Sequence, residues 1–217
     1  MKHATKLISG LLAGLTALLL TACVAPHPAQ PNTTKDLQSA ILWPEGYVPG
    51  TTDNFVTNEV IVAGLSAADV WPLLADATRW PSYYANSADV RFYDGKGPVL
   101  AQGDRFFFKT FGFPVEAQVT EYVPPGKGRP GRVAWHGWAG EPGTPQRLDV
   151  IHAWLVEDLP GGRVRILTQE SQKGEPAKAL ASSKPNIMIN GHQDWLTGLV
   201  AAARKAGPRS TASRPLQ

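Results

Sequence analysis

The sequence predicts an α+β domain, a curved antiparallel sheet of about seven strands covered by one long C-terminal helix. Three observations carry that prediction. Short segments of strand-like alternation follow one another with turn residues between them. Two short helical segments come directly after the first strand. A long segment at the far end repeats apolar or small residues at helical spacing. Strands that run together, with helices gathered elsewhere, are an α+β plan.

Taken in order, Phe55 to Ala63 (FVTNEVIVA) is the first strand. Ser66-Ala67-Ala68-Asp69 has the form of a capping box, with Asp in place of the usual Glu or Gln, and opens a short helix over 67–75. Residues 76–84 (DATRWPSYY) form a second short helical turn broken at Pro81. Six strands follow at 88–93, 104–110, 114–123, 132–138, 148–158 and 163–172. Turn signals separate them, at Asp94-Gly95, Phe111-Gly112, Pro124 to Gly131, Glu141 to Pro145 and Pro160 to Gly162. The closing helix runs over 186–206, with Met188, Gly191, Trp195, Leu199 and Ala202 on one face. Residues 173–185 receive no element.

The N-terminus reads as an export signal. Lys2, His3 and Lys6 precede an uncharged apolar run from Leu7 to Leu20, followed by Thr21, Ala22 and Cys23. As a helix that run is about 21 Å long, against a bilayer core of about 30 Å, so it is too short to span comfortably. Leu20-Thr21-Ala22-Cys23 resembles the lipobox of bacterial lipoproteins. The resemblance implies lipidation on the Cys23 sulfur, cleavage before it, and a membrane anchor. The alternatives are an ordinary signal peptide with an incidental cysteine, or an uncleaved anchor. Residues 24–38, with three prolines, read as an extended tether reaching about 45 Å. Residues 39–54 are a lead-in with turns, and 207–217 a disordered basic tail. The expected location is the cell envelope, on the outer membrane facing the periplasm, since Val24 is not the Asp that resembles an inner-membrane retention signal.

Charge and cysteine content exclude some functions. The net charge of +3 includes Lys2 and Lys6 of the signal and four basic residues in the last fourteen. Without both segments the body holds 15 basic and 18 acidic residues. A nucleic-acid binder needs a basic face on its folded domain, so no nucleic-acid partner is expected. Cys23 is the only cysteine, so the body has no disulfide, thiol nucleophile or thiolate metal site. There is no G-x-S-x-G elbow, and Gly95-Lys96-Gly97 and Gly126-Lys127-Gly128 lack phosphate-loop spacing.

Several ordered pieces carry a family resemblance. They are Val60-Ile61-Val62, Ala68-Asp69-Val70-Trp71, Leu74-Ala75-Asp76 with Trp80-Pro81, and Gly103-Asp104 before Phe106-Phe107-Phe108. Then come Trp135-His136-Gly137, His152-Ala153-Trp154, Gly161-Gly162, Thr168 to Ser171, Gly174, and His192 with Trp195-Leu196. Over residues 55–206 the set resembles the helix-grip fold of the START/SRPBCC superfamily, in its polyketide cyclase/dehydrase and lipid-transport branch. The resemblance implies a deep cavity between sheet and last helix for a hydrophobic or amphipathic small molecule or lipid; the chain is expected to be a monomer without a cofactor. Its expected lining is Phe106, Phe108, Trp135, Trp154, Ile166, Thr168, Met188, His192 and Trp195.

The polar pair of most interest is His152 and Glu170. A hairpin turning on Pro160-Gly161-Gly162 sets Leu159 against Arg163 and therefore His152 against Glu170. Glu170 shares a face with Val164, Ile166 and Thr168, and Arg163, Arg165 and Gln169 lie on the other. Glu170 is then expected to orient His152, raise its pKa and make it a general base. A two-residue turn at Pro160-Gly161 parts the pair. The bland alternative is that the two satisfy each other or hold a ligand head group. His136 is expected outside, opposite Trp135. A metal site of His136, His152 and Glu170 is not expected, because no ligand pair sits at metal-site spacing. Three functions remain: a membrane-tethered carrier or sensor, a cyclase or dehydratase using His152 with Glu170, and an envelope interaction module whose interior is only core.

Overall fold

Strands make up the larger part of the domain's regular secondary structure. In the computed structural model, which describes residues 40–207, seven strands form one sheet. They are β1 (Asn54–Ala63), β2 (Ser87–Phe92), β3 (Arg105–Thr110), β4 (Phe113–Val123), β5 (Gly131–Ala139), β6 (Leu148–Leu159) and β7 (Arg163–Lys173). The order is β1-β7-β6-β5-β4-β3-β2, antiparallel throughout. Every pair from β2 to β7 is a sequence neighbour, and β1 closes the other edge by joining β7. Register shifts in β2–β3 and β4–β5 mark irregularities of the kind that bend and twist a sheet. The signal segment, Cys23, the tether and residues from 208 onward lie outside the described residues, as do the expectations placed on them.

Among the described residues three α-helices complete the fold. Helix α1 (Ala67–Ala75) begins at Ser66, where the Asp69 carboxylate accepts from the Ser66 N–H at 2.8 Å and hydroxyl at 2.6 Å. The short Asp side chain thus does the work of a capping-box Glu. A 3-10 helix (Ala77–Ser82) follows. Helix α2 (Glu175–Ser182) falls where the sequence reading placed no element. It buries only Ala177, so it has no apolar stripe to announce it; its one sequence signal is Pro176 just inside the start, after Gly174. Helix α3 (Ile187–Ala206) is capped by Asn186, whose side chain accepts from the Met188 N–H, and ends at Gly207 with φ 74°.

Helix α3 packs on the inward face of the sheet, Trp195 against Trp135 and Trp154, with Met188, His192, Trp195, Leu196, Leu199 and Ala203 buried. It comes very close to the backbone of Tyr83: a Cβ at Gly198 would sit 1.8 Å from the Tyr83 carbonyl oxygen. The 3-10 helix drives Trp80 into the interior, where it stacks on Trp135 at 5.3 Å and meets Phe106, Phe108 and Trp195 edge-on. Its indole N–H donates to the Leu74 carbonyl at 2.8 Å, so the ring is buried without an orphaned donor. This aromatic knot, together with Leu196, Leu199 and Ala203, fills one end of the sheet–helix interior. Among the described residues no helix is long and apolar enough to cross a membrane.

Candidate functional site

The other end of the interior is open. A cavity of about 650 Å³ runs between the sheet and α3. Its walls are largely apolar, including Phe108, Val115, Val150, Leu180 and Met188. At the mouth stand Phe113, 65% exposed on the β3–β4 hairpin, and Ile187, 41% exposed at the start of α3. Where the cavity meets the aromatic knot, its polar residues gather.

Strand alternation places them there. On β7, Thr168, Glu170 and Gln172 follow each other at period two, so all three point inward. The turn after β6 spans Pro160-Gly161-Gly162, with both glycines at positive φ, and Leu159 faces Arg163. His152 is therefore directly opposite Glu170. From β1, Asn54 lies opposite Gln172. From α3, His192 and Trp195 project one turn apart onto the same spot.

The result is a buried polar chain. Asn54 Nδ2 donates to Gln172 Oε1 at 2.5 Å, and Gln172 Nε2 donates to Glu170 Oε1. Glu170 Oε2 is 3.0 Å from His152 Nδ1, and His152 Nε2 is 2.8 Å from Thr168 Oγ1. His192 Nε2 reaches to 3.7 Å from Glu170 Oε2, within ion-pair range but too long for a hydrogen bond. Neither ring nitrogen of His192 has a hydrogen-bond partner, although the residue is only 1% exposed. The two imidazoles lie near-parallel with centroids 4.7 Å apart, and Trp135, Trp154 and Trp195 enclose His152.

Burial by itself pushes the Glu170 carboxyl up, but His152 and His192 outweigh it and hold the group well below the usual carboxylate range. Burial pushes the His152 imidazole down, and His192 adds to that against the pull of Glu170. Glu170 does pull the His152 pKa up, but loss of water around the ring is the larger effect and the net shift is downward. A single protonation state fits both directions, an ionised Glu170 accepting from a neutral His152 protonated at Nδ1. The Thr168 hydroxyl then donates to Nε2, a tautomer assigned from the network. It follows that both His152 nitrogens are engaged. The lone pair that a general base needs is held by Thr168, and the uncommitted imidazole of the cluster is His192.

Of the expected lining, Phe108, Trp135, Met188, His192 and Trp195 border the cavity, as do His152 and Glu170. Phe106, Trp154, Ile166 and Thr168 do not. They face inward but lie at the filled end or behind His152, because Trp80 and the later turns of α3 occupy the space before them. His136 is on the outer face, 2.9 Å from Asp149, and takes no part. The sequence reading missed Gln172, Asn54, Thr110, Tyr84 and the mouth residues Phe111, Phe113, Leu148, Leu180 and Ile187. Gln172 was within reach of it, since alternation from Thr168 and Glu170 leads straight to Gln172. Asn54 needed the β1–β7 pairing, and the mouth residues needed the placement of α3.

No family model and no curated protein sequence matches the chain. Solved structures do. The hypothetical protein jhp0584 from Helicobacter pylori is similar at 54% identity over 76% of this chain and 96% of that one, with a TM-score of 0.72. Protein MLL2253 from Mesorhizobium loti is similar at 12% identity over 70% of this chain and 98% of that one, TM-score 0.50. Norcoclaurine synthase from Thalictrum flavum, solved as a point mutant with a transition-state analogue, is similar at 12% identity over 70% and 95%, TM-score 0.51. The last two share the fold alone, the START-like helix-grip fold of a sheet around a C-terminal helix. With its identity and coverage against the Helicobacter structure, the chain belongs to the family of jhp0584.

Proposed function

We propose that this domain binds a hydrophobic or amphipathic small molecule in the open half of its interior. It carries or senses that molecule at a membrane to which lipid on Cys23 tethers it. The observation behind this reading is the cavity: apolar walls of ligand-binding size, open at one end, with one buried polar cluster at its inner limit. That pattern, a mostly apolar recess with a few placed polar groups, is what orients a small molecule. The exposed Phe113 and Ile187 at the mouth give a hydrophobic ligand an apolar path to the inside. Native mass spectrometry of the full chain from its host tests this. A bound lipid-like or polyketide-like mass is expected. Leu148→Trp, at a half-buried wall position, should weaken retention about tenfold with little change in melting temperature. A ligand-free wild-type protein that also fails to retain added fatty acids or aromatic polyketides would overturn the reading.

One observation favours a second reading, a cyclase or dehydratase. His192 offers an imidazole with no hydrogen-bond partner, beside an ionised carboxylate, facing the cavity. In that reading the base is His192, and His152 orients Glu170. Incubating the extracted ligand with wild type and His192→Ala separates the two functions. Conversion to a dehydrated product by wild type alone supports catalysis; no conversion by either leaves carriage.

A further inference from the structure

We propose that His152, Glu170 and His192 together bind one divalent transition-metal ion, with Zn²⁺ the best match, at the inner limit of the cavity. One ligand atom from each residue lies within 4.8 Å of the others. Glu170 Oε2 is 3.0 Å from His152 Nδ1 and 3.7 Å from His192 Nε2. Ligand atoms around a tetrahedral zinc, at bond lengths near 2.1 Å, stand about 3.4 Å apart. The two measured separations bracket that value, and the two histidine nitrogens, within 4.8 Å of each other, close toward it by rotation of the imidazoles about their side-chain bonds. Two imidazoles and a carboxylate form a three-ligand set that leaves a fourth position open. All three residues line the cavity, so that position faces any bound molecule and suits a carbonyl, enolate or carboxylate oxygen. The donor set excludes the alternatives: calcium and magnesium need oxygen-rich shells, and the body has no thiolate.

Two further observations point the same way. His192 is buried with neither nitrogen hydrogen-bonded, a state that leaves a buried polar group unpaid by any partner; an ion at this spot supplies one. The surrounding bonds are those a metal site needs. With the ion on Nδ1, the His152 proton sits on Nε2 and the Thr168 hydroxyl accepts it, while Gln172, itself held by Asn54, donates to the far oxygen of Glu170. Such outer contacts fix the orientation of ligands without competing for the ion. Among the described residues no other group of three such side chains comes together.

This inference does not depend on which organic molecule fills the cavity, and the probe is the metal alone. The full chain, purified in detergent and stripped with a chelator, is titrated with Zn²⁺ by calorimetry. Co²⁺ is added separately and read by its visible absorption, which is intense only in a tetrahedral site. One equivalent is expected, with a tetrahedral Co²⁺ spectrum. Binding should be lost in His192→Ala and in the near-isosteric Glu170→Gln, and unchanged in His136→Ala. Thr168→Val should weaken it by about 10–100-fold. Melting curves in chelator establish that each variant folds, and Glu170→Gln decides the matter if His192→Ala does not. Absence of stoichiometric binding to wild type overturns the proposal. So does binding that survives in Glu170→Gln, since the ion then sits elsewhere. Failure here leaves the ligand-binding reading intact, because that is measured by retained mass.

Discussion

At the scale of single residues, the inner polar chain is held by mutual satisfaction inside an aromatic shell. Glu170 is its centre, touched by Gln172 and His152 with His192 close by. Glu170→Ala strands the buried Gln172 and His152 at once and should cost about 3–5 kcal/mol in denaturant unfolding; Glu170→Gln, which keeps the shape, should cost less. The titration follows from the two shifts. Glu170 has its folded pKa depressed, so its contribution is full above the ordinary carboxylate value of 4.5 and is lost as pH falls below that. His152 has its folded pKa lowered from 6.5, so the unfolded chain takes the proton first and stability begins to fall as pH drops below 6.5. Both act in the same direction. The melting temperature should decline from about pH 6.5 downward, and His152→Gln should flatten both parts of that decline: the upper part because the imidazole no longer titrates, and the carboxylate part because the main group holding the Glu170 carboxyl down is gone. A His152→Gln profile parallel to wild type over that upper range would remove His152 from the account.

Among the elements, α3 decides how the interior is divided. Its two glycines meet the rest of the fold differently. A Cβ at Gly198 would lie 1.8 Å from the Tyr83 carbonyl, a backbone atom that cannot swing away. A Cβ at Gly191 would lie 2.2 Å from the tip of the Phe111 ring. Gly198→Ala should therefore destabilise by about 1–3 kcal/mol, and Gly191→Ala by less, since the Phe111 side chain moves more easily than a main chain. Thermal unfolding of the two variants checks the order. Phe111 and Gly112 form the two-residue β3–β4 turn with φ 50° and 79°, the positive angles of a hairpin turn that usually takes Asn-Gly. Here Phe occupies the first position, and its ring borders the cavity mouth and packs over Gly191.

Over the whole molecule, one interior is divided into a filled end and an open end. The filled end carries the packing: Trp80 is fully buried against Phe106, Phe108, Trp135 and Trp195, and Trp80→Ala should cost about 3–5 kcal/mol. The open end is lined by Trp135, Trp138 and Trp195, so ligand entry should change intrinsic tryptophan fluorescence, and Leu148→Trp should suppress the change produced by an added ligand. All described residues belong to one compact unit, which is why a core variant at one end is expected to lower the melting of the whole domain.

The sequence by itself determined the strands and the faces of those strands, and narrowed one decisive register to two choices. Period-two alternation is a local property of the backbone, so Thr168 and Glu170 had to share a face; the turn could be two or three residues long, and the structure has the three-residue turn on Pro160-Gly161-Gly162 that sets His152 against Glu170. Local rules do not carry depth. Phe106, Trp154 and Ile166 face inward as read, yet whether an inward residue meets a cavity or a plug depends on where α3 and Trp80 come to rest. That is set by contacts between residues far apart in the chain, such as Gly198 on Tyr83. The same docking brings His192 to the strand pair and leaves its nitrogens without a hydrogen bond. The sequence held the pair; the tertiary structure made it a cluster of three, because only the packing of a helix on a sheet brings side chains from both to within a few ångströms.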